Sequence, residues 1–190
     1  MNILSSPLPK KIRVNNIIYD INYDYRTIIR TLLAFEDDEL TQEEKILIML
    51  KNIYKKEIPN DDIEEAITKA IKFIDCGQEY KETSNNSPRI YSFQKDAGYI
   101  FSGINLTHHI DIDEKSDLHW WKFVSFFMDM SPDCMFGELV YYRKRKQEGK
   151  LTDEEKKKYQ KIKDLVELEP VKKQSEARKK FFEEFHKIQK

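Results

Sequence analysis

The stretch Asp117-Leu-His-Trp-Trp-Lys-Phe-Val-Ser-Phe-Phe-Met-Asp-Met130 decides the fold of this 190-residue chain. It holds both tryptophans of the protein and contains neither glycine nor proline. On a helix its apolar side chains cover nearly the whole circumference, and only Lys122 and Asp129 are plainly polar. A helix that is apolar on nearly all sides packs in the middle of a domain. We therefore expect this helix to be interior scaffolding.

A second helix is expected directly after this stretch. Ser131 reads as its N-cap and Pro132 as its first helical residue, where the fixed φ of proline suits a helix and its missing N–H is not needed. The apolar positions of this helix include Met135, Phe136 and Leu139. We expect the two helices to form the core of the fold.

Shorter elements are predicted near the N-terminus. Residues 11–21 place two β-prone runs on either side of Asn15 and Asn16, which predicts a β-hairpin because asparagine tolerates a positive φ. Asp24 is expected to cap the helix that follows the hairpin. Thr41 begins a capping-box pattern that opens the next helix.

The middle of the chain predicts more helices. An antiparallel helix pair is expected across residues 41–76, with Gly77 as the C-cap of its second member. A further helix near residues 96–109 contains Gly98 and Gly103. Glycine costs a helix roughly 1 kcal/mol relative to alanine, so both glycines are expected to permit close packing.

The C-terminal part of the chain is strongly charged. Residues 143–190 carry 17 Lys and Arg against 10 Asp and Glu, whereas residues 1–142 carry 16 against 24. This asymmetry indicates self-association or an acidic partner, although a solvated charged helix is the simpler explanation.

These patterns together predict a mainly α fold. Thr152 begins a second capping box and a helix that reaches about Leu168, and a further amphipathic segment follows from about Ser175. Residues 1–148 are expected to form a helical domain with the small N-terminal β-hairpin. Residues 149–190 are expected to form a charged helical C-terminal extension.

Two sets of residues are candidates for binding a partner. A narrow apolar stripe on a highly charged helix needs a covering surface, either in this domain or in another chain. A basic run beside tyrosines could contact nucleic-acid phosphates, although cations at a helix end also favour the helix dipole. The candidates from the stripes are Tyr159, Ile162, Leu165, Phe181, Phe182 and Phe185. The candidate basic patch is Arg143, Lys144, Arg145 and Lys146, and the polar loop over residues 78–90 is a further candidate for partner contact.

Patterns for catalysis or metal binding are missing from the sequence. Adjacent histidines point to different sides of a helix, and no spacing places two ligands on one helical face. The chain has five glycines, with no glycine-rich phosphate loop and no Gly-x-Ser-x-Gly. We therefore expect no enzyme, no cofactor and no bound metal. The residues nearest to a metal-ligand pattern are His108, His109, Asp111, Asp113 and His119.

Cysteine usage and hydropathy predict a cytoplasmic protein. Cys76 and Cys134 are too few for a disulfide framework and are expected to be small buried hydrophobes in a reducing compartment. No apolar run approaches the ~18–20 residues of a membrane span. The N-terminus also lacks the pattern of a secretory signal.

Several segments, taken in order, resemble the bacteriophage gene-product-fifteen family. The similarity covers about residues 1–165 and is strongest around the two tryptophans. These segments are packing motifs, so they identify a family better than an activity. They are Tyr19-Asp-Ile-Asn-Tyr-Asp-Tyr-Arg26, Phe73-Ile-Asp-Cys-Gly77, Tyr91-Ser-Phe-Gln-Lys-Asp-Ala-Gly-Tyr-Ile-Phe101, Ile110-Asp-Ile112, Leu118-His-Trp-Trp-Lys-Phe123, Phe136 and Tyr142-Arg143.

The resemblance implies a small, mostly helical protein of the siphophage tail module with no catalytic residues. Proteins of that module are typically tail-assembly chaperones in the bacterial host cytoplasm, which bind the tape measure protein and the major tail protein and sometimes themselves. An alternative is an accessory or adaptor protein that binds nucleic acid through the basic segment after Tyr142. Nucleic acid is not the expected main partner, because the net charge of the whole chain is −1. A hydrolase using the histidine and aspartate region is the most distant hypothesis.

Overall fold

The computed structural model describes residues 3–78, 89–115 and 117–168 of the chain. Within these ranges the chain forms one two-stranded hairpin and eight α-helices, so the predicted mainly α fold with an N-terminal hairpin is confirmed. The strands are β1 (Lys11–Val14) and β2 (Ile17–Asp20). The helices are α1 (Tyr25–Glu36), α2 (Gln42–Ile53), α3 (Ile63–Ile74), α4 (Ala97–His108), α5 (Trp120–Met128), α6 (Met135–Gln147), α7 (Asp153–Lys161) and α8 (Lys163–Val166).

The described residues belong to two compact units. The first contains residues 3–78, and the second contains residues from 89 to 168. The described part of the predicted extension, residues 149–168, therefore belongs to the second unit. Whether residues 149–190 form a separate domain stays a prediction, because residues 169–190 lie outside the described part of the chain.

The hairpin of the first unit has the predicted turn. Val14 pairs with Ile17 across the two-residue turn, and Asn15 takes the positive φ of 47° that such a turn requires. Val14 and Tyr19 are buried on the inner face of the hairpin, and α3 packs against β1. A lone hairpin is only marginally stable, so this helical support makes it part of the fold.

The predicted N-caps of the first unit are both present. Asp24 accepts a hydrogen bond from the backbone N–H of Arg26 at the start of α1. Thr41 and Glu44 form a complete capping box at the start of α2. The α2 helix packs against both α1 and α3, and the Asn52 side chain donates to the buried Thr31 hydroxyl over 3.0 Å.

The end of α3 differs from the prediction. Cys76, and not Gly77, is the first residue with a positive φ after the helix, at 56°. The backbone N–H of Cys76 donates to the Phe73 carbonyl, and that of Gly77 donates to the Lys72 carbonyl over 2.8 Å. These two bonds define a Schellman motif. A cysteine therefore takes the left-handed position that the sequence pattern assigned to glycine.

The tryptophan helix α5 is interior at its start and exposed at its end. Trp120, Trp121 and Phe123 are buried, which confirms the predicted interior role of the two tryptophans. Met128 is 76% exposed. The described neighbours of α5 therefore cover its first turn but not the apolar side chain at its end.

The core of the second unit is built around α4, which packs against both α5 and α6. The predicted direct pairing of α5 with α6 is reduced to local contacts such as that between the rings of Phe127 and Phe136, whose centroids are 5.4 Å apart. The two helices that were expected to form the core are thus bridged by a third helix.

The helix after the tryptophan helix starts later than predicted. Its N-cap is Cys134, whose Sγ accepts from the backbone N–H of Gly137, and not Ser131. Residues 131–134 form a turn in which the Cys134 N–H donates to the Ser131 carbonyl. A Cβ on Gly137 would lie 2.5 Å from the Pro132 carbonyl oxygen. The turn thus folds over the first turn of α6, and Pro132 cannot belong to that helix.

The two glycines of α4 have different environments. A Cβ on Gly103 would lie 2.8 Å from the Met130 Sδ and 3.1 Å from the Cys134 Sγ, which confirms the predicted close packing at this position. Among the residues that the structure describes, a Cβ on Gly98 would meet nothing within 4 Å. The prediction of close packing is therefore wrong for Gly98.

Substitution of Gly98 and of Gly137 by alanine should have opposite effects on stability. We expect Gly98→Ala to raise the free energy of unfolding by roughly 0.4–1 kcal/mol, because the exposed helix position gains a better helix former. We expect Gly137→Ala to lower it by roughly 1–3 kcal/mol, because the added methyl group overlaps the backbone of Pro132. Urea denaturation followed by circular dichroism measures both changes, and a stabilised Gly137→Ala protein would contradict the packing described here.

Candidate functional site

The predicted basic run does not form one continuous exposed surface. Lys144 is exposed, but Arg143 is only 4% exposed and lies inside the second unit. Arg145 and Lys146 form ion pairs with Glu155 and Glu167, at 3.0 and 2.9 Å. Three of the four cations therefore bind groups of their own chain.

Arg143 uses all five of its N–H donors within the protein. Nη1 and Nη2 donate to the two carboxylate oxygens of Asp96 over 2.6 and 2.9 Å, which is the bidentate geometry of an arginine–carboxylate pair. The other three donors bind the backbone carbonyls of Ile90, Leu165 and Val166. We call Arg143 and Asp96, together with these carbonyls, the arginine clamp.

The arginine clamp connects segments that are far apart in the sequence. Asp96 immediately precedes α4 and also accepts from the backbone N–H of Ser92 over 2.9 Å. Arg143 projects from α6, and its carbonyl partners Leu165 and Val166 belong to the end of α8. A buried charge is tolerated only when it is paired and fully hydrogen-bonded, and this pair meets that condition.

Sequence reasoning placed Arg143 on the surface because it begins a run of four cations. The position of Arg143 on α6 gives only a weak indication that it is buried, since Leu139 and Tyr142 on the same helix are also buried. The partner Asp96 lies 47 positions away in the chain. No pattern in a single sequence indicates that two charged residues so far apart along the chain form a pair.

The C-terminus of α8 is held by two cations. Lys95 Nζ donates to the carbonyls of Asp164 and Glu167, over 2.6 and 2.5 Å. Arg143 donates to the two carbonyls between them. The last carbonyls of a helix lack partners within the helix and carry partial negative charge, so cations bind them favourably. The end of α8 is therefore held next to the start of α4.

The helix α7 is attached to α6 by a polar network. The hydroxyl of Tyr141 and the guanidinium of Arg145 both donate to the Glu155 carboxylate. Lys146 Nζ donates to the Tyr159 hydroxyl over 2.7 Å. The hydrogen bond from Tyr141, followed by those from Thr152 and Arg145, lowers the pKa of Glu155 to about 2.

The predicted partner stripe on α7 and α8 packs largely within its own unit. Tyr159 is 5% exposed and belongs to a buried cluster with Leu139, Tyr142 and Val166. Ile162 is partly buried against the same cluster, and Leu165 is 36% exposed. The described part of the apolar stripe is thus covered mainly within its own unit. The remaining candidates, Phe181, Phe182 and Phe185, lie outside the described residues, as does most of the loop over residues 78–90.

The histidines near α5 make structural contacts. His119 caps α5, since its Nδ1 accepts from the backbone N–H of Trp121 over 3.1 Å. His108 Nε2 lies 2.9 Å from the Phe126 carbonyl oxygen. His109 takes a positive φ of 52° just after α4. Within the described ranges, no three histidine, cysteine or acidic side chains are grouped closely enough to hold a metal ion.

Exposed apolar side chains collect where α4 and α5 end. Leu106 is 64% exposed and Met128 is 76% exposed. The two helix ends are joined because His108 contacts Phe126, with ring centroids 4.7 Å apart, and because the Ser131 N–H donates to the Thr107 hydroxyl. Four exposed carboxylates lie on or beside the same two helix ends, namely Asp111, Asp113, Asp129 and Asp133. Exposed apolar side chains such as Leu106 and Met128 are positions whose chemistry suits protein binding.

Comparison with known proteins identifies one family. The model of the family described as Bacteriophage Gp15 protein matches residues 4–168, which is well over half of the chain. No curated protein and no solved structure matches the chain. None of the helices described here is both long enough and apolar enough to cross a membrane.

Substitution of Arg143 should destabilise the protein far more than substitution of its neighbour Lys144. Arg143→Lys keeps the charge but loses the fork geometry and at least two of the five hydrogen bonds, so we expect the free energy of unfolding to fall by roughly 2–3 kcal/mol. Lys144→Gln is the matched control and should change it by less than about 0.5 kcal/mol. Equal urea midpoints for the two variants would contradict the role of the clamp.

The attachment of α7 should weaken in acid. The pKa of Glu155 is depressed in the folded protein, so its stabilising effect is complete above its ordinary value of 4.5 and is lost as the pH falls toward about 2. We expect amide hydrogen exchange in residues 153–161 to accelerate across this interval, relative to α2. The variant Glu155→Gln should show fast exchange in α7 already at neutral pH and little further pH dependence. If the exchange of α7 relative to α2 in the unchanged protein were the same at pH 3 as at neutral pH, the assignment would fail.

Proposed function

The chain belongs to the Bacteriophage Gp15 protein family and is a phage structural or morphogenesis protein, and from this premise we propose that it is a tail-assembly chaperone. In this proposal it binds the tape measure protein and the tail-tube subunits in the cytoplasm of the bacterial host. It acts without catalysis. The observation that carries the proposal is the family match over residues 4–168.

The chemistry of the described residues supports a binding role. The hydrogen bonds of the arginine clamp hold α4, α6 and α8 together, so they serve the structure of the protein itself. A chaperone for a long helical partner needs exposed apolar positions on a stable scaffold, and Leu106 and Met128 provide such positions. Side chains of this kind recognise an amphipathic helix by burying its apolar face.

The alternative role in nucleic-acid binding has less support. It depends on the basic segment after Tyr142, in which Arg143 is buried and Arg145 and Lys146 are paired with carboxylates. Only Lys144 of that segment is both exposed and outside these pairs. Phosphate binding requires several cations that can release counterions together. We therefore propose protein partners and not nucleic acid.

Co-expression of this chain with the tape measure protein of the same phage tests the proposed function. Long apolar helical proteins aggregate when expressed alone, so we expect the tape measure protein to move from the insoluble to the soluble fraction and to co-purify with this chain. Co-expression with an unrelated helical protein of similar size and charge is the control. The proposal fails if the soluble fraction of the tape measure protein is the same in both cases.

Quantitative mass spectrometry of phage particles provides a second measurement. An assembly chaperone leaves the tail when assembly is complete, so we expect this chain in infected cells and not in purified virions. A fixed copy number per virion, comparable to that of other tail proteins, would instead identify it as a component of the particle.

A further inference from the structure

The helix α7 buries little of its own surface. Tyr159 is the only one of its nine residues that is buried. The ion pair of Arg145 and Glu155, which connects α7 to α6, is partly exposed to solvent. Partly exposed ion pairs contribute little to stability, because water competes for both charges. The attachment of α7 therefore depends mainly on one aromatic side chain.

One polar group at the contact between α6 and α7 is unsatisfied. Arg145 donates to Glu155 through Nη2. Its Nε is buried, and no described residue accepts a hydrogen bond from it. A buried donor without a partner costs the free energy of its desolvation, so a movement that admits water to Nε would recover that cost. This cost works against the docked position of α7.

Both ends of α7 can act as hinges. Gly149, which lies between α6 and α7, takes a positive φ of 66° that glycine adopts easily. Ile162 interrupts the helical backbone between α7 and α8, with a φ of −114°. By contrast, α8 is held in place by Arg143 and Lys95. The helix α7 can therefore move as a unit while α6 and α8 keep their positions.

An apolar socket lies under α7. Tyr159 packs in one buried cluster with Leu139 and Tyr142 of α6 and with Val166 of α8. We call these three residues of α6 and α8 the tyrosine socket. Since they belong to the two helices that stay in place, the socket keeps its shape when α7 moves. An aromatic side chain of another helix fits where Tyr159 now lies.

Polar groups beside the socket define which helix fits. The Tyr141 hydroxyl and Arg145 both donate to the Glu155 carboxylate. Lys146 donates to the hydroxyl of Tyr159 over 2.7 Å. Glu155 and Tyr159 are four residues apart, so they lie on the same face of a helix. The site thus accepts a helix that carries a carboxylate and, four residues later, an aromatic side chain.

We propose that α7 is a lid over a binding site for a helix of another protein. The partner helix takes the place of α7, with its carboxylate on Arg145 and its aromatic side chain in the tyrosine socket. Two observations identify this occupant: α7 itself is a helix of this chemistry seated on the site, and the cations of the site complement an acidic partner. The inference rests on the proposed function in that the partner is a helical protein.

A labelled peptide tests the proposal on the full chain. The probe is a peptide of residues 150–162 with fluorescein at its N-terminus. The changes Glu155→Gln and Tyr159→Ser in the full chain give the undocked variant, whose own α7 no longer fills the site. Fluorescence anisotropy measures binding. We expect the undocked variant to bind the probe at least tenfold more tightly than the unchanged chain does, because the site of the unchanged chain is free for only a fraction of the time.

Three controls separate this effect from unspecific binding and from unfolding. Glu154→Gln changes an exposed neighbour of Glu155 and should bind the probe as weakly as the unchanged chain does. A peptide that itself carries Glu155→Gln and Tyr159→Ser should bind every form of the chain weakly. Glu155→Gln alone keeps Tyr159 in its socket, so this variant should stay folded by circular dichroism and should bind the probe at least threefold more tightly than the unchanged chain.

The proposal is overturned if neither the undocked variant nor Glu155→Gln binds the probe better than the unchanged chain, or if the altered peptide binds as well as the probe. Sedimentation velocity adds a separate criterion. A dimer of the unchanged chain that the changes of the undocked variant dissociate would identify α7 of a second copy as the occupant, and would also overturn the proposal. The tape measure protein is not used in these measurements, so the lid and the proposed function can fail independently.

Discussion

The buried pair of Arg143 and Asp96 is the interaction on which the second unit depends. One guanidinium supplies five donors, which meet the two carboxylate oxygens of Asp96, the carbonyl of Ile90 and the carbonyls at the end of α8. The pair thereby fixes α4, α6 and α8 relative to one another. A buried ion pair adds little net stability compared with apolar packing, but it strongly penalises any arrangement that leaves one charge unpaired. Its main effect is therefore to select this arrangement of helices.

The basic segment presents little free positive charge, because Arg143 is buried and Arg145 and Lys146 are paired with carboxylates. The same clamp that removes Arg143 from the surface also anchors the end of α8, together with Lys95. The positive charge of the C-terminal part of the sequence is therefore found in more than one place. Some of the positive charge of residues 143–190 is paired within the second unit, and seven of its seventeen cations lie in residues 169–190.

Local patterns predicted local structure well. Asp24, Thr41 and Thr152 cap the helices that their side chains predicted, and Asn15 forms the hairpin turn. Such features depend on neighbours within four residues, so the sequence contains all the information they need. The errors concern packing, which the sequence pattern does not specify. Pro132 was expected inside α6, but its carbonyl packs over Gly137, and Gly98 was expected in a close contact that no described residue provides.

The sequence by itself determined the family, the mainly α fold, the hairpin and the burial of Trp120 and Trp121, because periodicity and capping are local and a large aromatic pair must leave water. Only the tertiary structure decided which charges are exposed and which helix lies at the centre. Arg143 and Lys144 are adjacent in the chain, yet one is buried and one is solvated. The difference comes from a carboxylate and three carbonyls brought together by folding, and no pattern within α6 specifies them.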